Sequence, residues 1–509
     1  MMQLKPKVVP DWPKLAWVAI FAEGSREIDV LHGPMVEVAD DWVVEAVWAG
    51  EFESGDFDRT DLVFGSGVRC RGNRVVFVSA GTAMERLWYC HQDGQWYVSN
   101  SLGALSACAG LSLKEDYCYV NDRKSDFRTT WGLESCVRSL PARPVNAKLI
   151  WFNNLVYDGA GLHEAEKPDS APLFHAFGDY LGFLVKAARI LKKNLEAPAR
   201  YHDVIPIATV SSGYDSPAAA VIASHTGCKH AVTIRQSSSF WRGSDSGQKI
   251  AAQLGMKCQC CDRTAHTFPH EEAFWAASGW SNLLNWTLFP YPSGVSLFFQ
   301  GNYGDAIWDR KPLPKPFTMD IWDDLAMGEF RLIVGMLQCP VPFWGMRHAG
   351  EIKRIAFSKE MQPWTLHSRY DRPIPRRMVE DAGVPRGDFA VRKKDTSHEA
   401  GFRWPYSENS HAKFSNYLRA RGFYAPGRAT VMLLRRLSFL ESLLHQNIFR
   451  KLGLRKRFRP WTKLVGTRLL FQWANHELKK KYEAGLKNIG LRPSAVAAER
   501  PEILEKFRR

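Results

Sequence analysis

The sequence predicts a chain in two parts: an α+β N-terminal unit rich in sheet, then an α/β unit with a parallel sheet and additional C-terminal helices. Three observations predict it. Up to about residue 165, runs such as "NRVVFVSA" and "ERLWYCHQDGQWYVSNSL" carry the Val, Phe, Trp and Tyr of strands. From about residue 172 apolar residues recur at helical spacing instead, as in "APLFHAFGDYLGFLVKAARILKKNLE". Between the two periodicities of the second part, "VIPIATVSSGYDSPAAAVIAS" passes from an apolar run through small polar residues into helix formers, the pattern of a strand-loop-helix unit.

Composition sets the frame. A chain of 509 residues exceeds a single ordinary core, and 45% hydrophobic and 12% aromatic residues supply the apolar surface that disordered chains lack. No apolar stretch approaches the roughly 18 residues that span a bilayer, and the start "MMQLKPKVVPDWPKLAW" has no long apolar signal core, so a soluble, cytoplasmic protein is expected. The ten cysteines are scattered, which argues for reduced thiols. Cys258, Cys260 and Cys261 cluster without a second pair at zinc spacing, and a partly buried strand end is the better reading. A formal charge of +15 favours anionic partners such as nucleotides, nucleic acid or acidic lipid without choosing among them.

Element by element, Asp93-Gly94 lies between two strand-like runs as a hairpin turn should. The boundary belongs near "AEKPDSAP", giving parts 1–168 and 169–509. In the strand-loop-helix unit, Ser216 is the expected N-cap and Pro217 the first helical residue. A helix N-terminus offers free N–H donors, and Gly213 with its neighbouring serines lets an anion approach the backbone closely. Phosphate suits that loop. Asp215 suits it only if the aspartate holds a cation, and a divalent metal bridging carboxylate and phosphate meets that condition. As a charge on a solvated loop, Asp215 is expected to matter little for stability. In "VMLLRRLSFLESLLHQNIF", Leu433, Leu437, Leu440, Leu444 and Ile448 share one face, which predicts a packed helix with a basic opposite side. "RKLGLRKRFRPWTK" at 450–463 interleaves basic and aromatic residues; a basic surface is preferred there to a nucleic-acid or lipid contact. There is no internal repeat.

The S-x-G-x-D-S loop after a strand resembles the pyrophosphate loop of the N-type ATP pyrophosphatases, in particular the synthetase domain of the asparagine synthetase family. "SDSGQKIAAQLGMKCQCCD" at 244–262 is similar to the helix and strand that follow in that family. "LFFQGNYGDAIWDRK" at 297–311 resembles its second motif, with Gly301 and Asp305 matching, Asn302 in place of Asp and Ala306 in place of Glu. "YDRPIPRRMVEDAGVPRGDFAVRKKDTS" at 370–397 resembles the segment that delivers a basic residue to the site. "VSNSLGALSACAG" looks like the strand and helix start that close the family's glutaminase domain.

The resemblance implies a degenerate Ntn-like N-terminal domain before a PP-loop synthetase domain, and an ATP-dependent carbon–nitrogen ligase that adenylates a carboxylate for attack by an amine. It implies ATP and Mg2+ as cofactors, with Asp215 and Asp305 as metal ligands. Ser211, Ser212, Gly213, Tyr214, Asp215, Ser216 and Gly301 would surround the phosphates, Val232 to Ile234 would lie against adenine, and Lys393 or Lys394 would neutralise charge in the reaction. The partners would be a small molecule or peptide bearing the carboxylate, and an amine. A working glutaminase of the family exposes an N-terminal Cys, whereas this sequence begins Met1-Met2-Gln3, so no glutamine hydrolysis is expected. A PP-loop nucleic-acid-modifying enzyme and a catalytically inactive protein of the same fold remain alternatives.

Overall fold

The dense aromatic and β-branched runs of the first 165 residues form two stacked sheets. The structure, a computed structural model, describes all residues except 115–127, 131–136, 237–243, 263–267, 279–283, 312–317, 321–326, 369, 391–401, 446–468 and 492–509. Seven strands run in the spatial order Gln3–Val8, Glu27–His32, Trp17–Ala22, Gln95–Ser99, Leu87–Gln92, Ala147–Ile150 and Val137–Leu140. Six more run Leu162–Ala165, Asn154–Tyr157, Arg74–Val78, Val63–Arg71, Trp42–Trp48 and Glu37–Ala39. Pairing is antiparallel except between the first two strands of the larger sheet. Alternation sends Trp17, Val30 and Val98 from one sheet against Val43, Val68 and Phe77 from the other, and Phe21 stacks on Phe77 at 5.7 Å. The expected hairpin at Asp93-Gly94 is present, both residues taking the positive φ of a primed turn (52° and 72°). Ser101 then caps the helix Leu102–Ala109, its hydroxyl accepting from Ala104 N at 2.8 Å.

The strands of the two stacked sheets end at Ala165 and long helices begin with Phe177–Leu195. Beyond it, five parallel strands lie in the order Lys257–Cys261, His230–Ile234, Val204–Thr209, Val295–Gln300 and Met336–Pro340. Both faces are covered, as the short apolar runs require. Ala208, Leu297 and Phe299 pack with the helices Phe177–Leu195 and Asp215–Ser224, while Ile207, Val232 and Phe298 meet Phe274, Trp275 and Trp473 on the other side. Chain order reverses between Val204–Thr209 and Val295–Gln300: the chain builds outward from the first of these, then returns to lay the second against its other edge. The Cys258–Cys261 cluster lies on the half-buried edge strand.

One expectation is overturned. The helix Arg428–Leu444 forms, but Leu433, Leu437, Leu440 and Leu444 are 56%, 43%, 52% and 45% exposed, whereas Val431 and Ser438 are buried. Periodicity identifies a face and leaves open whether another element covers it. Ile448 lies outside the described residues.

Buried charge ties the sheet layers to the second part. Arg331 donates to both oxygens of Glu45 (3.0 and 3.1 Å) and lies 3.5 Å from Glu85. Glu45 also accepts from Ser66 and Asn100. Glu329 accepts from Ser101 Oγ, Gly103 N and the Tyr482 hydroxyl, linking the N-terminal unit, the helix Gly328–Val334 and the helix Leu470–Asn488. Burial pushes the Glu85 carboxyl from its ordinary 4.5 up to about 7, with Arg331 opposing, Glu45 reinforcing and the Gln338 N–H opposing. A folded-state value above the unfolded one makes the charged form the disfavoured one. Stability is therefore expected to fall by about 3 kcal/mol as pH rises from 4.5 through 7, and Glu85→Gln should flatten that slope. Denaturant melts across this range test it; an unchanged slope in the variant would assign the pH dependence to other groups.

Candidate active site

The carboxyl ends of Val204–Thr209 and Val295–Gln300 each carry one of the two polar turns singled out in the sequence. In doubly wound sheets, ligands bind outside the carboxyl ends of the strands at the place where strand order reverses, because the flanking connections part there and leave a crevice. Both turns sit at this place.

The first turn is held by its own side chains. Ser211 N donates to Ser216 Oγ at 3.0 Å, the two hydroxyls are 2.8 Å apart, and Gly213 N reaches Ser211 Oγ at 3.2 Å. Ser212 Oγ donates to Asp245 at 2.6 Å. The helix starts at Asp215 with Tyr214 in the cap position and no side-chain cap, so Ser216 is not the N-cap and Pro217 is the third helical residue. The reason is local: the Ser216 hydroxyl turns back to Ser211 and closes the loop instead of capping the helix. The Tyr214 side chain is fully buried, its hydroxyl accepting from Arg376 at 2.6 Å and its ring 4.7 Å from that of Tyr370. It anchors the loop to the core, leaving its backbone on the loop side. Val232 and Ile234 lie on the adjacent strand, buried among apolar neighbours.

The second turn packs directly on the first. A Cβ at Gly301 would lie 2.3 Å from the Asp215 carbonyl carbon, and one at Gly304 2.4 Å from Asp215 Cγ. Tyr303 between them takes a positive φ of 66° and buries its ring against Phe343. This fold-back brings Gly301 and Asp215 together and leaves Asp305 exposed at the start of the short helix Gly304–Ile307.

Arg372 was not among the expected site residues. It precedes Pro373, whose ring excludes helical geometry at the residue before it, and it sits at the cap of the helix Pro373–Asp381 with only 5% of its surface exposed. Its guanidinium forms an ion pair with Asp215. Burial works against the arginine charge, but Asp215 beside it, with Asp305 further off, outweighs burial and holds the guanidinium protonated above its ordinary range. Tyr370, whose hydroxyl faces Gly213, is pushed up by burial and by the Asp215 charge.

No family model and no curated protein matches this chain. The chemistry therefore rests on the geometry.

Asp215 pairs with the buried Arg372, whose charge Asp305 also supports from further off, and the serines of the first turn lie on the same loop as Asp215. Among the described residues no group of three or more His, Cys, Asp and Glu could hold a metal alone. A carboxylate pair nonetheless suits magnesium arriving with phosphates, since magnesium is usually held by one or two carboxylates plus substrate oxygens and water. Lys393 and Lys394 lie outside the described residues, as does the basic segment 450–463. Arg372 lies within 370–397, the segment expected to deliver a basic residue. A cue existed, an arginine kept out of helical geometry by the following proline, but nothing in sequence reveals a partner 157 positions away. Asp245, the partner of Ser212, stood in "SDSGQK" as an acidic residue before a helix.

Proposed function

We propose that this protein is an ATP-dependent, AMP-forming carbon–nitrogen ligase of asparagine synthetase-like type, joining a carboxylate-bearing small molecule or peptide to an amine. The observation that carries the reading is the convergence of "SSGYDS" and "GNYGD" at the carboxyl ends of the two strands between which chain order reverses. On this reading the first part is a degenerate Ntn-like domain and the second a PP-loop synthetase domain. Ser211 and Ser216 exchange their mutual hydrogen bonds, and Ser212 its bond to Asp245, for phosphate oxygens, and the backbone of Gly213 and Tyr214 lines the same side. Asp215 and Asp305 would hold magnesium, which supplies charge neutralisation at the phosphates. Arg372 transfers its charge from Asp215 to the departing pyrophosphate, a contact of the kind worth about 3 kcal/mol of barrier. Val232 and Ile234 shape the adenine side, and Lys393 or Lys394 balances charge as the amine attacks.

The amine does not come from glutamine on this reading. The described thiols of the sheet layers, Cys70, Cys90 and Cys108, are buried and pushed up to about 11, 12 and 12 by burial, the reverse of an activated nucleophile.

ATP labelled at the α-phosphate, incubated with magnesium and candidate carboxylate–amine pairs, tests the reaction class. AMP is expected, dependent on the carboxylate and indifferent to glutamine. ADP as the sole product would refute the ligase reading, because this loop is assigned to the β- and γ-phosphates as a leaving pair.

A further inference from the structure

The helix Arg428–Leu444 wears its amphipathic pattern inside out. At 3.6 residues per turn, Phe439, Met432, Arg436, Leu440, Leu433, Leu444 and Leu437 fall in one arc of roughly 160°. Every one of them is exposed. The opposite side, which packs on the protein, holds Val431 and Ser438 together with Arg435, whose guanidinium donates to the carbonyls of Trp404 (2.7 Å) and Pro405 (3.0 Å) and lies over the Tyr406 ring. Leu434 packs on the protein beside them; a packing requirement would have put the exposed leucines there too. Other exposed large apolar side chains, such as Leu173, Tyr201 and Phe357, come from separate elements, whereas this arc is six apolar residues on one helix.

We propose that this face is a lipid-binding surface that lies in the headgroup region of an anionic membrane. The charge selects the occupant. Arg428 pairs with Glu408 and Arg435 faces the protein, but Arg436 stands inside the apolar arc, where its long side chain can reach up to phosphate while its stem stays among the leucines. The residues next in sequence, 446–468, include eight Lys and Arg and no Asp or Glu, and the whole chain carries +15. Basic residues beside an amphipathic helix are attracted to anionic lipid within a Debye length of the surface. A second copy fits less well: two-fold pairing of this arc brings Arg436 of each copy into the other's apolar face. No helix among the described residues is long and apolar enough to cross a membrane, so the helix rests on the lipid and does not span it.

Co-sedimentation of the full chain with vesicles tests this surface. Vesicles of phosphatidylcholine containing phosphatidylglycerol should retain the protein, and pure phosphatidylcholine should bind it on the order of tenfold more weakly, with the difference shrinking at high salt. The triple substitution Leu433→Gln, Leu437→Gln, Leu440→Gln should lower binding to the anionic vesicles by a similar factor without moving the melting temperature, because these side chains make few packing contacts. Arg436→Glu should weaken it separately. Absence of vesicle binding by the wild type overturns the proposal, and so does binding that survives the triple substitution. Self-association that the triple substitution abolishes, with no vesicle binding, would assign the face to a second copy.

Discussion

Asp215→Asn is expected to lose ATP-dependent turnover by a factor on the order of 10²–10³ and, unlike a loop substitution, to destabilise the fold by about 3 kcal/mol. The sequence alone suggested a charge on a solvated turn. The structure pairs that charge with Arg372, of which 5% is exposed, so removing the carboxylate leaves a guanidinium buried beside a neutral amide. Asn keeps the shape and one acceptor oxygen, which is why the loss is placed at the low end for a broken buried pair. Arg372→Met combined with Asp215→Asn removes both charges and should recover most of the stability while leaving turnover abolished. Urea titration of the three proteins separates the effects. If Asp215→Asn unfolds together with the wild type, the ion pair does not hold the site; if it turns over normally, Asp215 has no part in the reaction.

Gly301→Ala carries the second large effect. The added methyl would lie 2.3 Å from the Asp215 carbonyl carbon, 2.5 Å from Ser216 N and 2.6 Å from the Asp215 carbonyl oxygen. These are backbone atoms that no rotamer change can clear. The two turns must separate, and displacement of reacting groups by about 1 Å is enough to cost roughly a hundredfold in rate. A stability loss of about 1–3 kcal/mol should accompany it. Gly213→Ala is the internal comparison: its methyl would sit 3.3 Å from the Ser211 hydroxyl and 3.5 Å from that of Tyr370, contacts that small side-chain shifts absorb. Equal turnover by the Gly301 and Gly213 variants would mean that contact between the turns does not govern catalysis.

What the sequence revealed was local. The Asp93-Gly94 hairpin, the switch from strand to helix spacing near Ala165 and the strand-loop-helix at 204–224 all follow from neighbouring residues whose backbone preferences agree. What it hid was relational. Nothing near Tyr214 says that its ring belongs to the core, because its partners Tyr370, Arg376 and Phe389 come from a segment more than 150 positions on. Ser216 fits a cap by composition and becomes a loop closure only because Ser211 turns toward it. The leucine stripe of Arg428–Leu444 has the right period with the opposite orientation, since period carries no sign.

The helix Leu470–Asn488 gives the molecule a particular birth order. Trp12 donates its indole N–H to the carbonyl of Tyr482, 470 positions later, and Gly103 leaves room for the Tyr482 ring against the first helix. The sheets nearest the start of the sequence emerge from the ribosome long before the helix that covers them. Until residues 470–488 are made, the face of Leu102–Ala109 that packs on this helix stays uncovered, and Glu329, once made, can be met by Ser101 and Gly103 but lacks its third donor, the Tyr482 hydroxyl.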